Sequence, residues 1–333
     1  MIDKVSVIIP THKRPHFLNR AVDSVLAQTY NNVEIVVVDD NAPDSDDRRH
    51  TARAMRRYKS SKKVVYILND GPHGGGPARN RGIEAATGTY VTFLDDDDIY
   101  LPEKVEVQLR FMVENSLEMS FTDVFLHDNN DKLFEYRRHT YVTDCSNEEL
   151  MRQHILHSLG PTSTFMVKRA SLSAVGGFAD VPMGQDFMLM WRMIEFDTNI
   201  GYLPVSYIIQ YLHDGERISV GPNKINGEKR LYALKKTRRH MLDYDEQKYL
   251  DFRHYAVLSI TSKRSKKPFD YIKYGIKAIW ISPAFFIKEA KILFIGRFKA
   301  NHGKVAQPLL EEGVMFTGQP ANGLVANTSL SLR

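Results

Sequence analysis

The chain has 333 residues, 43% hydrophobic and 26% charged, which suits a folded globular protein of one large domain with appendages or two modest ones. Its single cysteine, Cys145, excludes an internal disulfide framework and fits a reducing, cytoplasmic setting, with the thiol read as packing. The net charge of +5 hides an asymmetry: residues 263 to 304 carry eleven Lys or Arg against Asp270 and Glu289, a local +9 that leaves the rest at −4, so a general nucleic-acid-binding surface is not supported.

Met1, Ile2, Asp3 and Lys4 lead straight into a strand, so no signal peptide is expected. Residues 5–9 form a continuous apolar run, the pattern of a parallel strand covered on both faces, and Pro10 ends it. Apolar residues at 17, 18, 21, 22, 25 and 26 predict a helix over 17–28. A second buried strand spans 33–38 and closes on Asp39, Asp40 and Asn41. Residues 64–68 read as a third strand, after which Gly74, Gly75 and Gly76 lead into a helix from about 77 to 86. A fourth strand over 90–94 runs into four consecutive aspartates, Asp95, Asp96, Asp97 and Asp98. Strands alternating with helices predict an α/β fold with a doubly wound, mostly parallel sheet and helices on both faces.

In such sheets ligands bind outside the carboxyl ends of the strands. Here those ends carry Pro10 with Thr11, Asp39 with Asp40, and the four aspartates. Adjacent like charges repel and cannot enter a core unpaired. A divalent cation on a phosphate ester removes that conflict, because hard cations take one or two carboxylates plus substrate phosphates. A solvated acidic turn is the plain alternative. The glycine triplet alone is a turn, but ahead of a helix carrying Arg79 it lets backbone approach a phosphate or base. Its spacing is neither the dinucleotide fingerprint nor a P-loop.

From about 119 to 212 the pattern is mixed, with strand-like runs at 119–126, 164–168 and 207–212 and a helical stretch at 186–196. These predict antiparallel edge strands that extend the sheet and complete a site. Residues 221–262 are polar and helix-prone, over 224–243 and then 246–262. Residues 263–300 mix large apolar side chains with lysines, but their longest charge-free run, 278–287, is ten residues long and contains Pro283, against about twenty for a spanning helix. Ile272, Ile276 and Ile279 share one helical face, Lys273 and Lys277 another, and Trp280, Phe285, Phe286 and Phe294 are interfacial anchors. This predicts a basic helix pair on the inner surface of the cytoplasmic membrane. Packing on the rest of the chain or on a homo-oligomer partner is the competing reading. Residues 301–333 are polar and are expected to be flexible.

Four blocks now stand in order: Val5-Ser6-Val7-Ile8-Ile9-Pro10-Thr11, Glu34-Ile35-Val36-Val37-Val38-Asp39-Asp40-Asn41, Ala78-Arg79-Asn80-Arg81-Gly82, and Phe93-Leu94-Asp95-Asp96-Asp97-Asp98-Ile99. With Leu101-Pro102-Glu103-Lys104 after them, they resemble consecutive blocks of glycosyltransferase family 2 over roughly residues 4 to 220. The resemblance implies a GT-A fold and transfer of a sugar from a nucleotide-sugar, with inversion at the anomeric carbon. It places Pro10, Thr11, Asp39 and Asp40 at the nucleotide pocket, with Asp39 accepting from the base, and it has Arg79 hold the uracil or the diphosphate. Asp95 and Asp97 match the family's Asp-x-Asp, with Asp97 nearer a Mn²⁺ or Mg²⁺ ion. Asp96 departs from the Ser or Ala that is usual there.

In Met183-Gly184-Gln185-Asp186 the family commonly has Glu-Asp, so Gln185 departs while Asp186 is kept as general base. A single displacement at an acetal carbon needs one carboxylate to take the acceptor's hydroxyl proton. Asp186 as the cap of a helix starting at Phe187 is a compatible structural role. His213 resembles the His that reaches the metal or pyrophosphate, with Arg217 as the family's usual sequel. The segment around Gly160-Pro161-Thr162-Ser163 is expected to help position donor and acceptor.

The reading is an inverting, metal-dependent glycosyltransferase moving a sugar from a UDP-sugar to a lipid-linked glycan acceptor in bacterial surface polysaccharide (capsule or O-antigen) biosynthesis. The processive signature Gln-x-x-Arg-Trp is absent, which implies one sugar per acceptor. Two alternatives are weighed. A nucleotidyltransferase expects a glycine-rich basic signature after the first strand, where Thr11-His12-Lys13-Arg14 has no glycine. A non-catalytic nucleotide-sugar-binding or membrane-scaffold protein would have Gln185 as the mark of a decayed site.

Overall fold

The computed structural model describes residues 3–212 and 222–288. The first half comprises β1 (Val5–Thr11), α1 (Pro15–Leu26), β2 (Val33–Asp39), α2 (Asp46–Met55), β3 (Val64–Leu68), α3 (Gly75–Ala85), β4 (Tyr90–Phe93), β5 (Ile99–Tyr100) and α4 (Lys104–Glu114). There follow β6 (Met119–Thr122), β7 (Val124–His127), β8 (Leu133–Arg137), α5 (Asn147–His157), β9 (Met166–Lys168), α6 (Arg169–Ala174) and α7 (Gln185–Glu195). The chain continues through β10 (Ile200–Leu203), β11 (Ile208–Tyr211), α8 (Pro222–Thr237), α9 (Tyr244–Arg264) and α10 (Pro268–Ile281).

Seven strands form the main sheet in the order β10-β6-β9-β4-β1-β2-β3. The β1–β2, β2–β3, β1–β4 and β6–β10 pairs are parallel. Side chains alternate between its faces with the period of two that a pleated strand imposes. Val7, Ile9, Ile35 and Val37 point into a core with Leu18, Val22 and Val25 of α1 and Leu109 and Met112 of α4. Ile8, Val36, Val38 and Phe93 point the other way, onto Ala78 of α3, Ile155 of α5 and Phe187 and Trp191 of α7. Both faces are covered, as the continuous apolar runs require.

Pro10 does not end β1, which runs on to Thr11. The even residues of β1 bond toward β4, as Leu94 N donating to Ile8 O at 3.0 Å shows. β4 ends at Phe93, opposite Ile8, so the N–H that Pro10 lacks falls where no strand is paired.

The expected antiparallel edge strands are corrected on two points. β9 is antiparallel but lies inside the sheet, between β4 and β6, and the edge beyond it is the parallel strand β10. The run at 119–126 is two strands in two sheets, because Asp123 breaks it. The Asp123 carboxylate is fully buried and accepts from Tyr202 Oη at 2.6 Å, His139 N at 3.1 Å and Tyr136 Oη at 3.1 Å, which pins the corner. Past it, β7 and β11 join a second, four-stranded sheet in the order β5-β11-β7-β8. The helix α2, which no apolar period announced, is polar and is capped by Ser45 Oγ accepting from Arg48 N at 3.1 Å.

The C-terminal helices α8 and α9 pack on the sheet's helical layer: Leu250 and Leu242 are buried in the core that holds α7, with Leu231 and Tyr232 packed against it. A capping box between Asp243 and Glu246 starts α9. Only Ala278 of α10 is buried, and α10 lies against α9. No helix among the described residues is long and apolar enough to cross a membrane. Residues 289–333 fall outside the described residues.

Candidate active site

A cleft of about 910 Å³ opens at the carboxyl ends of β1, β2 and β4 and reaches α7, α8 and α9. Pro10, Thr11, Asp40, Arg79, Asp95, Asp97 and Asp186 all line it. Asp39 does not. Its carboxylate is fully buried, accepting from Tyr66 Oη at 2.5 Å and Asn41 Nδ2 at 2.8 Å, with Arg48 Nε at 3.2 Å. The expectation that Asp39 accepts from a base is therefore corrected: its oxygens are satisfied within the protein, and its neighbour Asp40 is the one at the cleft wall. Asp40 accepts from His73 N at 3.0 Å and Gly74 N at 2.8 Å, which fixes the start of the glycine-rich loop.

That loop enters α3 tightly. A Cβ on Gly76 would stand 2.7 Å from Ala179 O, so only glycine lets the loop pass under the segment before α7. From α3, Arg79 Nη2 donates to Asp95 Oδ1 at 2.5 Å and Nη1 to Gln185 Oε1 at 2.9 Å. One guanidinium thereby ties the acidic turn to the start of α7.

The four aspartates have four different surroundings. Asp95 pairs with Arg79 and stays partly open to the cleft. Asp96 is buried, with Arg14 Nε 3.1 Å from Oδ1 and no well-formed hydrogen bond to either oxygen among the described residues. Burial pushes its carboxyl up to about 7, against the pull of Arg14. Asp97 pairs with Arg14 Nη1, and its backbone carbonyl accepts from Arg20 Nη2 at 2.7 Å. Asp98 is engaged by the second sheet, accepting from Tyr211 N at 3.1 Å and Gln210 Nε2 at 3.2 Å, so it ties the acidic turn to β11. Burial, then the charges of Asp97 and Asp95, raise Asp98 well above the usual carboxylate range. Burial would lower Arg14, and the four aspartates outweigh it to hold this guanidinium above its ordinary value. Arg14 is the principal residue that sequence reasoning passed over. Its only sequence signal was a basic side chain three residues beyond the end of a cleft-forming strand.

Asp186 does not cap a helix starting at Phe187. The helix α7 begins at Gln185, with Gly184 at the cap position at φ 81°. Asp186 sits in the first turn, its Oδ1 accepting from Phe187 N at 2.8 Å. Burial raises its carboxyl above the usual value, while the Phe187 N–H and Arg79 hold it back. Beneath it, His154 stacks on Phe187 with ring centroids 4.0 Å apart. Leu159 N donates to His154 Nδ1 at 3.0 Å, so Nε2 carries the proton and donates to Phe187 O at 3.0 Å. This neutral imidazole, driven down to about 3 by burial, anchors the turn that carries Asp186.

The far wall comes from the C-terminal helices, which the sequence did not connect to the site. Lys224, Glu228, Leu231, Tyr232 and Lys235 line the cleft from one face of α8, and Leu250, Arg253, His254 and Val257 from one face of α9. Gly160, Pro161 and Thr162 also line the cleft, while Ser163 accepts from Gln210 Nε2 at 3.3 Å. His213 and Arg217 lie outside the described residues.

Asp95 and Asp97 present hard carboxylate oxygens to the cleft, beside the buried carboxylate of Asp96. These donors fit Mn²⁺ or Mg²⁺, which need one or two carboxylates and complete their shell from phosphate and water. No three His, Cys, Asp or Glu side chains converge as a ready-made metal cage among the described residues.

The family model described as glycosyl transferase family 2 matches residues 6–176, half of the chain. The UDP-Glc:alpha-D-GlcNAc-diphosphoundecaprenol beta-1,3-glucosyltransferase WfgD of Escherichia coli is 32% identical over 230 residues, covering 69% of this chain and 84% of WfgD. An uncharacterized glycosyltransferase of Rickettsia felis is 40% identical over 121 residues, but this chain spans only 19% of its length. The fold is that of S. aureus TarS 1–349, solved in complex with UDP-GlcNAc, at a TM-score of 0.58 and 15% identity over 83% of this chain and 91% of that one. The α/β expectation of a GT-A sheet with C-terminal helices therefore holds. With the four sequence blocks gathered around one cleft, the chain belongs to glycosyltransferase family 2.

Proposed function

We propose that this chain is an inverting glycosyltransferase that moves a sugar from a UDP-sugar to a lipid-linked glycan acceptor in bacterial surface polysaccharide assembly. One observation carries the reading: Arg79 joins the acidic turn at Asp95 to Gln185, the residue before Asp186, so the donor-side charges and a carboxylate of raised basicity face one cleft. Support for the acceptor class comes from WfgD, whose name specifies a diphosphoundecaprenol-linked acceptor.

In this reading Thr11, Asp40 and the glycine-rich loop hold the nucleotide, and Arg79 with Arg14 faces the diphosphate. A Mn²⁺ or Mg²⁺ ion held by Asp97 and Asp95, with His213 as a further ligand, would supply Lewis-acid neutralisation of the leaving diphosphate. Asp186 takes the proton of the attacking hydroxyl, and its raised pKa makes it the stronger base for that task. His154, through Phe187, fixes the orientation of that carboxylate. Against the decayed-site reading stands the place of Gln185 in the cleft wall, as acceptor for Arg79 and donor to Val181 O at 2.9 Å.

Membrane-surface docking through α10 belongs to the same reading. Phe269, Ile272, Ile276 and Trp280 are exposed, Trp280 at 86%, beside Lys273 and Lys277. It places the enzyme at the inner face of the cytoplasmic membrane, where a lipid-linked acceptor lies. The test is UDP release and product formation with a panel of UDP-sugars, Mn²⁺ and an alkyl-diphosphate-linked N-acetylglucosamine, on wild type and Asp186→Asn. Turnover by wild type alone supports the reading; UDP binding without turnover in either protein contradicts it.

A further inference from the structure

Behind the acidic turn lies a lysine to which the proposed reaction gives no role. Lys104, the first residue of α4, is 1% exposed, and no carboxylate stands within ion-pair distance of it among the described residues. Its Nζ donates to Thr92 Oγ1 and, at 3.1 Å, to Tyr100 Oη. Two acceptors match the two N–H bonds of an uncharged amine, not the three of an ammonium. Burial drives this amine well below its ordinary value, and the positive end of the α4 dipole also disfavours the charged form.

The two groups it joins flank the acidic turn. Thr92 lies in β4, three residues before Asp95, and Tyr100 in β5, two residues after Asp98. Tyr100 Oη donates onward to Phe93 O at 2.5 Å, and Thr92 Oγ1 to Phe165 O at 2.7 Å. β4 belongs to the seven-stranded sheet and β5 to the four-stranded one, so no strand ladder joins the two flanks of the turn. The Lys104 amine joins them instead. A buried lysine costs stability that an apolar side chain of the same length would not. Such a departure from good packing is expected where geometry serves function.

We propose that Lys104 is a positioning residue for the transfer reaction: by tying Thr92 to Tyr100 it sets the spacing of the acidic turn, so that Asp95 and Asp97 together meet a divalent cation on the donor diphosphate. This rests on the donor site proposed above and adds a residue that touches neither donor nor acceptor.

The test is calorimetric titration of UDP into the full chain, with Mn²⁺ and with EDTA, alongside thermal melts. Lys104→Met keeps the length of the side chain and removes both donors, while Thr92 and Tyr100 keep their carbonyl acceptors. It is expected to weaken UDP binding in Mn²⁺ at least about tenfold, as loss of a group that orients metal ligands does, and to leave binding in EDTA within about twofold of wild type. The melting temperature should not fall. A merely structural lysine would lower the melting temperature and weaken both conditions alike; that result, or unchanged binding, overturns the assignment. Tyr100→Phe keeps the ring and removes one acceptor, and it decides the matter if Lys104→Met does not fold. It is expected to show the same Mn²⁺-specific loss, and the double variant should lose no more than either single one. A wild-type Mn²⁺ response in Tyr100→Phe, or additive losses, would overturn the assignment. Failure of UDP to bind wild type sinks the donor site itself, and wild-type binding that Mn²⁺ does not tighten removes the cation and this role with it. Binding that Mn²⁺ tightens equally in wild type and variants sinks only the role of Lys104.

Discussion

Arg79 and Gln185, 106 residues apart in the chain, are hydrogen-bonded at 2.9 Å across the cleft, the guanidinium donating to the amide oxygen. The same amide donates to Val181 O at 2.9 Å, so Gln185 spans the loop before α7 in a way that a glutamate could not. Its position beside Asp186 makes its neutrality matter to the base.

If Asp186 is the base, transfer requires it ionised, and burial holds its pKa above the usual carboxylate range, so the rate should fall as pH drops through that raised value. Gln185→Glu adds a negative charge next door and disfavours ionisation of Asp186 further. Its acid limb should move to higher pH relative to wild type. Comparing kcat–pH profiles of the two proteins checks this; coincident or reversed limbs would contradict it.

Asp186→Asn removes the proposed proton acceptor but keeps the side chain's shape. Transfer should fall by roughly 10²–10⁴-fold, the range for loss of a general base, with UDP affinity within about threefold. Single-turnover rates and UDP titration separate the two quantities. A loss confined to UDP affinity would assign Asp186 to donor binding.

Arg14 balances the acidic turn through Asp96 and Asp97. Arg14→Ala leaves four carboxylates with one fewer counter-charge, so the metal-free protein should melt several degrees lower. Mn²⁺ should then stabilise the variant more than it does wild type, because it no longer competes with a guanidinium for Asp97. Thermal melts with EDTA and with Mn²⁺ measure both. Equal Mn²⁺ shifts in the two proteins would place the metal elsewhere.

The apolar face of α10 can be charged without touching the core, since Phe269 and Trp280 are 78% and 86% exposed. The double substitution Phe269→Glu with Trp280→Glu should abolish flotation with anionic liposomes while leaving the melting temperature unchanged. Flotation equal to wild type would favour packing against protein instead.

The strands and the acidic turn were legible because buried parallel strands leave continuous apolar runs and their polar ends stand out against them. What the sequence hid depends on three-dimensional choices. Asp39 and Asp40 are adjacent and identical in type, and the pleat alone decides that one goes into the Tyr66–Arg48 network and the other to the cleft. Nothing in the local pattern marks Arg14 or Lys235, and it is folding that brings both to the cleft. Asp123 split an apolar run into two sheets because a buried carboxylate found two tyrosines, a long-range pairing that no local pattern encodes.

The account turns on a nucleoside diphosphate sitting over the ends of β1, β2 and β4 against the acidic turn. Calorimetric titration of UDP into the full chain, with Mn²⁺ and with EDTA, measures this directly. Binding that tightens at least about tenfold with Mn²⁺, and that Arg79→Ala weakens in both conditions, is the predicted result. No detectable heat of UDP binding in either condition would contradict it.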